Sequence, residues 1–241
     1  MTKILAHRGF RSRFPENTLL AFEKALEIGA HGLELDVHYS KDGEIMVFHD
    51  FELERLTGEK GMIFDYTYKE LRQLKVRQFE LSDQIPTLKE VLDLFEEYEK
   101  EQPLAESRIL NIEFKAGSQL YPDIERRVFE LCENHSGVIY SSFDHHALVK
   151  MKSICQDAKT GVLTASAMVN PWQYMEQLKA DYYHPYYFSL SPDNLDDLLK
   201  HHVALNPYTV NDLPTAKRLI AEEVHAIITD YPDRLLKCLM L

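Results

Sequence analysis

The chain has 241 residues, of which 45% are hydrophobic, and this fits one large folded domain or two small ones. Its formal net charge of −12 repels a nucleic-acid backbone, so the composition argues against nucleic acid as a partner and leaves room only for a local basic pocket. The three cysteines are far apart and odd in number, which predicts reduced thiols and a cytoplasmic protein.

Apolar segments in the sequence are short. Residues 1–8 hold too brief an apolar run for a signal peptide, and charged side chains interrupt it. No later stretch approaches the roughly 18 apolar residues that a membrane span needs. We therefore expect a cytoplasmic protein without stable membrane association, and the sequence leaves its oligomeric state open.

Residues 1–50 predict three strands and one helix. Apolar residues recur at helical spacing over 19–26, Asn17 or Thr18 can cap this helix, and Gly29 follows its end. A turn signal at 41–43 separates the second strand from the third, so these two strands are expected to pair as a hairpin. The predicted strands cover 4–6, 33–38 and 45–48.

The pattern changes between residues 51 and 85, which contain no clean strand and only a short helix near 69–71. We therefore predict that 51–85 is an insertion. Beyond it, helices and strands alternate regularly. The predicted strands are 109–114, 138–142, 160–163, 182–184, 203–205 and 226–229, and the predicted helices are 88–95, 124–132, 148–154, 172–178, 195–201, 216–222 and 234–239.

This alternation predicts an α/β fold. With the hairpin counted once, eight strand–helix units fill a length close to the roughly 250 residues typical of a (β/α)₈ TIM barrel. We predict a single TIM-barrel domain over residues 1–241, with the small insertion after its second strand. A doubly wound open sheet has the same alternation and is the competing architecture.

Acidic residues share one face of the predicted strand 33–38. Because side chains alternate along a strand, Glu34, Asp36 and His38 point to one side and the apolar residues between them to the other. Burying two like charges side by side is costly unless a cation or hydrogen-bond donors compensate. We interpret Glu34 and Asp36 as metal ligands; the alternative is an edge strand with its acidic face in water.

Reactive side chains follow other predicted strands as well. In a barrel of this kind the active site lies at the carboxyl ends of the strands. Three carboxylates with no thiol nearby would form an oxygen-rich site that suits Mg²⁺ or Ca²⁺ better than a soft transition metal. The residues at these strand ends are His7, Arg8, Glu34, Asp36, His49, Glu113 and Lys115.

The types of these side chains predict a chemistry. Two histidines, His7 and His49, beside a hard cation suit acid–base catalysis near neutral pH, with one removing a proton while the other supplies one. Arg8 and Lys115 add positive charge without being metal ligands, which suits a small anionic substrate. Phosphate is the natural candidate, because a cation, an arginine and a lysine together offset charge that builds on its oxygens.

Taken in order, these motifs resemble the signature of the glycerophosphodiester phosphodiesterase family. The resemblance extends from His7 to Pro232, and the combination in this order is highly specific. The motifs that carry it are His7-Arg8-Gly9, Glu16-Asn17-Thr18, Glu34-Leu35-Asp36, Asp42-Gly43 leading to His49-Asp50, Asn111-Ile112-Glu113-Phe114-Lys115, Ser141-Ser142-Phe143 and Thr229-Asp230-Tyr231-Pro232.

The resemblance implies a TIM barrel with a small insertion after the second strand. It also implies a divalent metal ion, an acid–base pair of histidines and two basic contacts to the phosphate of the substrate. In this sequence the residues with these roles are Glu34, Asp36 and Glu113 for the metal, His7 and His49 for the proton transfers, and Arg8 and Lys115 for the phosphate.

Tyr208 departs from the family pattern, which usually has Trp at this place. The resemblance implies that this residue contacts the alcohol group of the substrate, so the change bears on the preferred alcohol rather than on catalysis. His184, at the end of a predicted strand, is a further candidate for a substrate contact, and a role outside the site is its alternative. We expect Asp50 to orient a neighbour or form a turn rather than to bind the metal.

Three functions are compatible with these residues. The first is a metal-dependent phosphodiesterase that cleaves a glycerophosphodiester to sn-glycerol 3-phosphate and an alcohol. The second is a phospholipase that uses the same site on intact lipid phosphodiesters, although the sequence shows no amphipathic apolar loop for insertion into a bilayer. The third is a non-catalytic barrel that binds a phosphodiester, which the full set of acid–base and ligand residues argues against.

Overall fold

The computed structural model describes residues 1–102 and 107–239, and its first elements follow the predicted order. Thr18 rather than Asn17 caps the first helix, because its hydroxyl accepts a hydrogen bond from the backbone N–H of Ala21. The third strand pairs antiparallel with the second, as predicted, with Val37 opposite Val47. These elements are β1 (Lys3–His7), α1 (Leu19–Glu27), β2 (Gly32–Tyr39) and β3 (Ile45–Val47).

The predicted insertion holds short elements and an apolar cluster of its own. The expectation that it contains no strand is wrong, because two short strands pair there as an antiparallel hairpin, with Val76 opposite Asp83. Most residues of this hairpin are at least partly exposed, so burial imposes no alternation on them. Leu56 and Ile85 pack with Met46 of β3. The elements are α2 (Glu54–Thr57), a 3₁₀ turn (Ile63–Asp65), α3 (Tyr68–Leu71), β4 (Lys75–Gln78) and β5 (Leu81–Gln84).

Helices and strands alternate through the rest of the described chain, as predicted. The helix expected to begin at 148 begins at His145, because Asp144 caps it and accepts a hydrogen bond from the backbone N–H of His146. None of the described helices is both long and apolar enough to cross a membrane. The elements are α4 (Leu88–Glu101), β6 (Ile109–Phe114), α5 (Ile124–Cys132), β7 (Val138–Ser142), α6 (His145–Ile154), β8 (Lys159–Thr164), α7 (Pro171–Leu178), β9 (Tyr182–Pro185), α8 (Pro192–Lys200), β10 (Ala204–Leu205), α9 (Leu213–Ala221), β11 (Ala226–Thr229) and α10 (Pro232–Cys238).

Eight parallel strands of the described chain form a barrel in the order β1, β2, β6, β7, β8, β9, β10 and β11. β11 pairs with β1, so the ends of the chain meet. The residues after β10 join it to β11: the backbone N–H of Ile228 donates to the carbonyl oxygen of Pro207, and that of Val210 donates to the carbonyl oxygen of Ile228, both at 3.0 Å. The TIM barrel is therefore confirmed, and the doubly wound sheet is wrong.

The barrel interior is apolar where the strands begin and polar where they end. On β1, Leu5 precedes His7 by two residues, and on β6 Ile109 precedes Glu113 by four. Because alternate residues share a face, each strand passes from an apolar to a polar interior residue along its length. The apolar residues form one buried cluster of Leu5, Ile109, Ile139, Ala226 and Ile228.

Candidate active site

Three acidic side chains meet where β2 and β6 end. Asp36 lies opposite Glu113 in the register of these two strands, and Glu34 lies two residues before Asp36 on the same face. One carboxylate oxygen from each residue lies within 4.8 Å of the other two, and all three residues are buried. Parallel pairing of β2 with β6 thus brings together the three predicted metal ligands.

Repulsion and burial make this acidic cluster electrostatically costly. Burial and the charges of Asp36 and Glu113 hold the pKa of Glu34 well above its ordinary value. Burial and Asp36 raise the pKa of Glu113 to about 7. Burial also acts to raise the pKa of Asp36, but Lys115 and Arg8 outweigh it and hold that pKa below its usual range. A cation between the three carboxylates would remove the repulsion.

The donor set of the cluster fits a hard divalent cation. Asp36 Oδ1 is buried and has no hydrogen-bond partner, and the same holds for Oδ1 of Asn111, which lines the same cavity as Glu34 and Glu113. Carboxylate and amide oxygens are the ligands that Mg²⁺ and Ca²⁺ prefer. The acidic cluster therefore fits the predicted choice of Mg²⁺ or Ca²⁺.

His7 ends β1 opposite Glu34. Its Nδ1 lies 2.6 Å from Asp230 Oδ1, and its Nε2 lies 3.9 Å from Glu34 Oε2. Burial and the charge of Arg8 lower the pKa of His7 to about 4, although the hydrogen bond to Asp230 acts to raise it. The ring is therefore neutral near pH 7, with Nδ1 donating to the Asp230 carboxylate and Nε2 free to accept a proton.

His49 follows β3 and uses its neighbour in sequence as a partner. Its Nδ1 lies 2.6 Å from Asp50 Oδ1, and Asp50 accepts a second hydrogen bond from Arg55. Burial lowers the pKa of His49, although its side chain is 27% exposed. Nε2 of the buried His38 lies 3.1 Å from the carbonyl oxygen of His49 and helps to place this loop. Asp50 thus orients the His49 ring, as expected.

Glu16 lies buried among three arginines. Its carboxylate accepts hydrogen bonds of 2.8 Å from Arg8 Nη1 and from Arg55 Nη2, and Arg11 Nη2 lies 3.1 Å from its other oxygen. Burial acts to raise the pKa of Glu16, but the hydrogen bond from Arg55 and the charges of Arg8 and Arg11 lower it to about 2. Glu16 therefore stays ionised throughout the neutral range.

Two of these arginines extend to the aspartates that orient the histidines. Arg11 Nε lies 3.6 Å from Asp230 Oδ1, and Arg55 Nε donates to Asp50 Oδ2. Glu16 therefore lies at the centre of a continuous ion network between the two histidine–aspartate pairs. The ion network consists of His7, Asp230, Arg11, Glu16, Arg55, Asp50 and His49.

Arg8 and Lys115, the predicted phosphate contacts, both lie against the acidic cluster. Arg8 Nε is 3.4 Å from Asp36 Oδ2, and Lys115 Nζ is 3.4 Å from Asp36 Oδ1 and 2.7 Å from Glu113 Oε1. Arg8 has a left-handed backbone (φ 54°), and its backbone N–H donates to Glu34 Oε2 at 2.9 Å. Both cations therefore offset the negative charge of the cluster.

Tyr208 lies close to His7 at the barrel mouth. Its hydroxyl donates a hydrogen bond of 3.1 Å to the carbonyl oxygen of Thr164 at the end of β8, which holds the ring at the barrel mouth. Together with the histidine and the acids it lines one small cavity. The residues that line this cavity are His7, Glu34, Asn111, Glu113, Leu163, Tyr208 and Ile228.

His184 is not among these lining residues, because its ring is completely buried inside the barrel. The ring fills the space beside Gly161, where a Cβ atom would lie 2.5 Å from His184 Nε2. The same nitrogen lies 2.9 Å from Asn206 Nδ2, and Asn206 also contacts His225 at 2.7 Å. The structure therefore places His184 in the barrel interior and not among the residues that line the cavity.

Three residues of the motifs make contacts in the site that the sequence did not predict. Asp230 orients His7, Glu16 joins the arginines, and Asn17 Nδ2 donates to Asp36 Oδ2 at 2.8 Å. Asn17 and Glu16 precede α1, and Asp230 follows β11, so both groups lie at the barrel end that holds the site. Their positions just before a predicted helix or just after a predicted strand were the feature of the sequence that could have indicated a place in the site.

Comparisons with known proteins show the family of this chain. Residues 7–234 match the sequence model of the glycerophosphoryl diester phosphodiesterase family. A glycerophosphodiester phosphodiesterase of Caldanaerobacter subterraneus subsp. tengcongensis is 36% identical, with 98% of this chain and 96% of the relative covered. A protein of the same description from Bacillus altitudinis is 37% identical, with 98% of each chain covered.

Solved structures show the same architecture. A phosphodiesterase of Oleispira antarctica in complex with the product sn-glycerol-3-phosphate has a TM-score of 0.89 at 25% identity, with 100% of this chain and 98% of that chain covered. A glycerophosphodiester phosphodiesterase of Thermotoga maritima has a TM-score of 0.77 at 29% identity, with 98% of each chain covered.

Proposed function

Since the chain belongs to the glycerophosphoryl diester phosphodiesterase family and is a phosphodiesterase, we propose that it hydrolyses a glycerophosphodiester to sn-glycerol 3-phosphate and an alcohol with the help of a divalent cation and two histidines. The relative from Oleispira antarctica, whose structure contains sn-glycerol-3-phosphate, supports this choice of product. The observation that carries the proposal is the convergence of three buried carboxylates with two histidines, each oriented by an aspartate.

Glu34, Asp36 and Glu113 are the residues that would hold the cation, Mg²⁺ or Ca²⁺. Bound there, the ion would polarise the phosphoryl group and offset negative charge on its oxygens. Arg8 and Lys115, which border the same carboxylates, contact the phosphate and add to this stabilisation. These two side chains therefore bind and orient the phosphodiester in front of the histidines.

His7 and His49 share the two proton transfers of the hydrolysis. In each ring Nδ1 is oriented by an aspartate, so Nε2 is the nitrogen that exchanges a proton with the substrate or the attacking hydroxyl. One ring removes a proton from the attacking oxygen, and the other donates a proton to the leaving alcohol. The ion network holds both rings in these orientations.

The metal requirement is tested first by chelation. We expect exhaustive treatment with EDTA to abolish the release of sn-glycerol 3-phosphate from glycerophosphocholine, because the buried carboxylates then lack the ion that offsets their charge. Addition of Mg²⁺ or Ca²⁺ should restore turnover. Full activity in the chelated protein would remove the metal from the proposal.

The same assay separates the three functions that the sequence left open. Turnover of deacylated glycerophosphodiesters faster than of micellar phospholipids supports the phosphodiesterase. Faster turnover of intact lipid would instead identify a phospholipase. Binding of glycerophosphocholine without any release of product, in a protein supplied with Mg²⁺ or Ca²⁺, would identify a binding barrel.

A further inference from the structure

A row of aromatic side chains leads from the cavity to the surface of the protein. The rings of Phe143 and Tyr186 both lie 6.0 Å from the ring of Tyr208, measured between centroids, and Phe188 lies 5.5 Å from Tyr186. We call Phe143, Tyr186, Phe188 and Tyr208 the aromatic platform. Since Tyr208 also lines the cavity with His7, Glu34 and Glu113, the aromatic platform is continuous with the active site.

Three segments that follow the carboxyl ends of β7, β9 and β10 build this surface. Phe143 follows β7, Tyr186 and Phe188 follow β9, and Tyr208 follows β10, so all four belong to the barrel end that holds the site. Phe188 is 72% exposed and Phe143 is 48% exposed. Large aromatic side chains at such exposure, joined to a catalytic cavity, indicate a binding surface.

No arginine lies over a ring of the aromatic platform in the described part of the chain. The four contacts of an arginine over an aromatic ring in that part of the chain all use other rings. A carboxylate lies near the outer part of the aromatic platform. Burial and the charge of Asp212 raise the pKa of Tyr187, whose ring centroid lies 5.6 Å from that of Tyr186 and 4.2 Å from that of Phe188. Exposed rings near a carboxylate attract a weakly hydrated cation.

The two halves of a glycerophosphodiester differ in what they need from the protein. The glycerol half carries hydroxyl groups, which lose free energy when they are buried without partners. Three of the four rings of the aromatic platform offer the glycerol hydroxyls no donor, because Tyr208 donates its hydroxyl hydrogen to Thr164 and the two phenylalanines carry none. The cavity itself is lined by the polar side chains of His7, Asn111 and Glu113 and suits the glycerol half. This leaves the alcohol half for the aromatic platform.

We propose that the aromatic platform binds the leaving alcohol of the substrate and selects an alcohol that carries a quaternary ammonium group. This inference rests on the proposed function, because it names the substrate class of the same site. Trimethylammonium is large, apolar at its surface and positively charged, so it gains both from contact with the rings and from the nearby carboxylate. A neutral alcohol of the same shape gains binding free energy only from apolar contact with the rings.

The experiment compares two substrates that differ by this charge alone: glycerophosphocholine and the matching ester of 3,3-dimethylbutanol, in which carbon replaces the quaternary nitrogen. With wild-type protein and added Mg²⁺, we expect kcat/KM for the choline ester to be about 3- to 10-fold higher, as cation–ring contacts predict. The difference should appear mainly in KM, since the contact precedes the chemical step.

Substitutions in the aromatic platform test its role in this ratio. Phe143→Leu combined with Phe188→Leu keeps apolar bulk but removes two ring faces, so the ratio should fall towards one. Phe143→Tyr should retain the ratio, which covers the case that the double variant folds poorly. Phe129→Leu, on α5 outside the aromatic platform, is the matched control and should leave the ratio at the wild-type value.

The outcomes separate the two proposals. Release of sn-glycerol 3-phosphate from both esters at equal kcat/KM overturns the selectivity and leaves the proposed function intact. No release from either ester in the cation-replete protein overturns the proposed function. Equal losses of kcat/KM on both esters in the double leucine variant would mean that the rings bind apolar groups regardless of charge. Micellar lysophosphatidylcholine is assayed as a third substrate, and a loss of kcat/KM confined to it would mean that the rings contact a lipid surface. Each of these last two results refutes the cationic alcohol.

Discussion

The two histidine–aspartate pairs have the same local geometry but reach it by different routes. In both, Nδ1 lies 2.6 Å from an aspartate oxygen. His7 is buried, and its partner Asp230 is 223 positions away and arrives only when β11 pairs with β1. His49 is partly exposed and uses the next residue, Asp50. An exposed histidine can thus be oriented by its own loop, whereas a buried one depends on closure of the barrel.

Removal of either histidine is expected to have the largest effect. His7→Ala and His49→Ala should each lower kcat by about 10²- to 10⁴-fold, because each deletes one of the two proton transfers. The measurement is release of sn-glycerol 3-phosphate at saturating substrate with Mg²⁺ or Ca²⁺ present. If one variant kept nearly wild-type turnover, the two pairs would not share the catalysis.

The link between the two pairs is tested by Glu16→Gln. Loss of this buried carboxylate leaves Arg8, Arg11 and Arg55 close together without their shared partner, and we expect a loss of about 3–5 kcal/mol in the free energy of unfolding. Because Arg11 and Arg55 also contact Asp230 and Asp50, kcat should fall as well. Urea unfolding and steady-state kinetics measure the two effects.

The contribution of Glu16 to the free energy of unfolding should depend on pH. Its pKa is lowered from 4.5 to about 2, so its ionised form stabilises the fold above pH 4.5 and that contribution disappears as the pH falls towards 2. The difference in the free energy of unfolding between wild type and Glu16→Gln should therefore become smaller as the pH falls from 4.5 to 2.

Asp181→Asn is the matched control for Glu16→Gln. It breaks contacts to Lys152 and Lys159 at the start of β9, away from the site, and should lower the free energy of unfolding without lowering kcat. An equal loss of kcat in both variants would contradict a specific role of the ion network.

The two orienting aspartates should differ in importance. Asp230→Asn should lower kcat by about 10²-fold, because the amide cannot favour the tautomer with hydrogen on Nδ1 and the buried ring has little access to water. Asp50→Asn should cost only about tenfold, since water reaches the partly exposed His49 and can replace part of the contact. Similar losses in the two variants would show that burial does not distinguish the pairs.

The smallest effect is expected from a purely local change beside the ion network. Thr18→Ala removes the cap of α1, just after Glu16 and Asn17, and should cost about 1 kcal/mol of unfolding free energy. Neither histidine pair depends on this hydroxyl, so kcat should change by less than about twofold. A loss of kcat comparable to that of Glu16→Gln would mean that helix capping, rather than the carboxylate, holds the site.

Most of the fold could be predicted from the sequence, because apolar residues recur with a regular spacing in buried helices and strands. The strand–helix alternation and the hairpin of β2 and β3 matched the prediction, whereas the exposed hairpin of β4 and β5 did not, because side chains in water need not alternate. His184 shows that periodicity also does not determine where a buried side chain lies. It follows the interior pattern of β9, but the absence of a side chain at Gly161 leaves room for its ring inside the barrel rather than in the cavity.

By itself, the sequence determined the alternation of strands and helices, the acidic residues at the ends of β2 and β6 and the adjacency of His49 and Asp50, since each of these depends on residue type and on spacing within a short stretch. Only the tertiary structure decided that Asp230 orients His7, that Glu16 joins both pairs through Arg11 and Arg55, and that aromatic rings from three segments meet at Tyr208. These contacts join distant parts of the chain. They depend on strand register and barrel closure, which local periodicity does not specify.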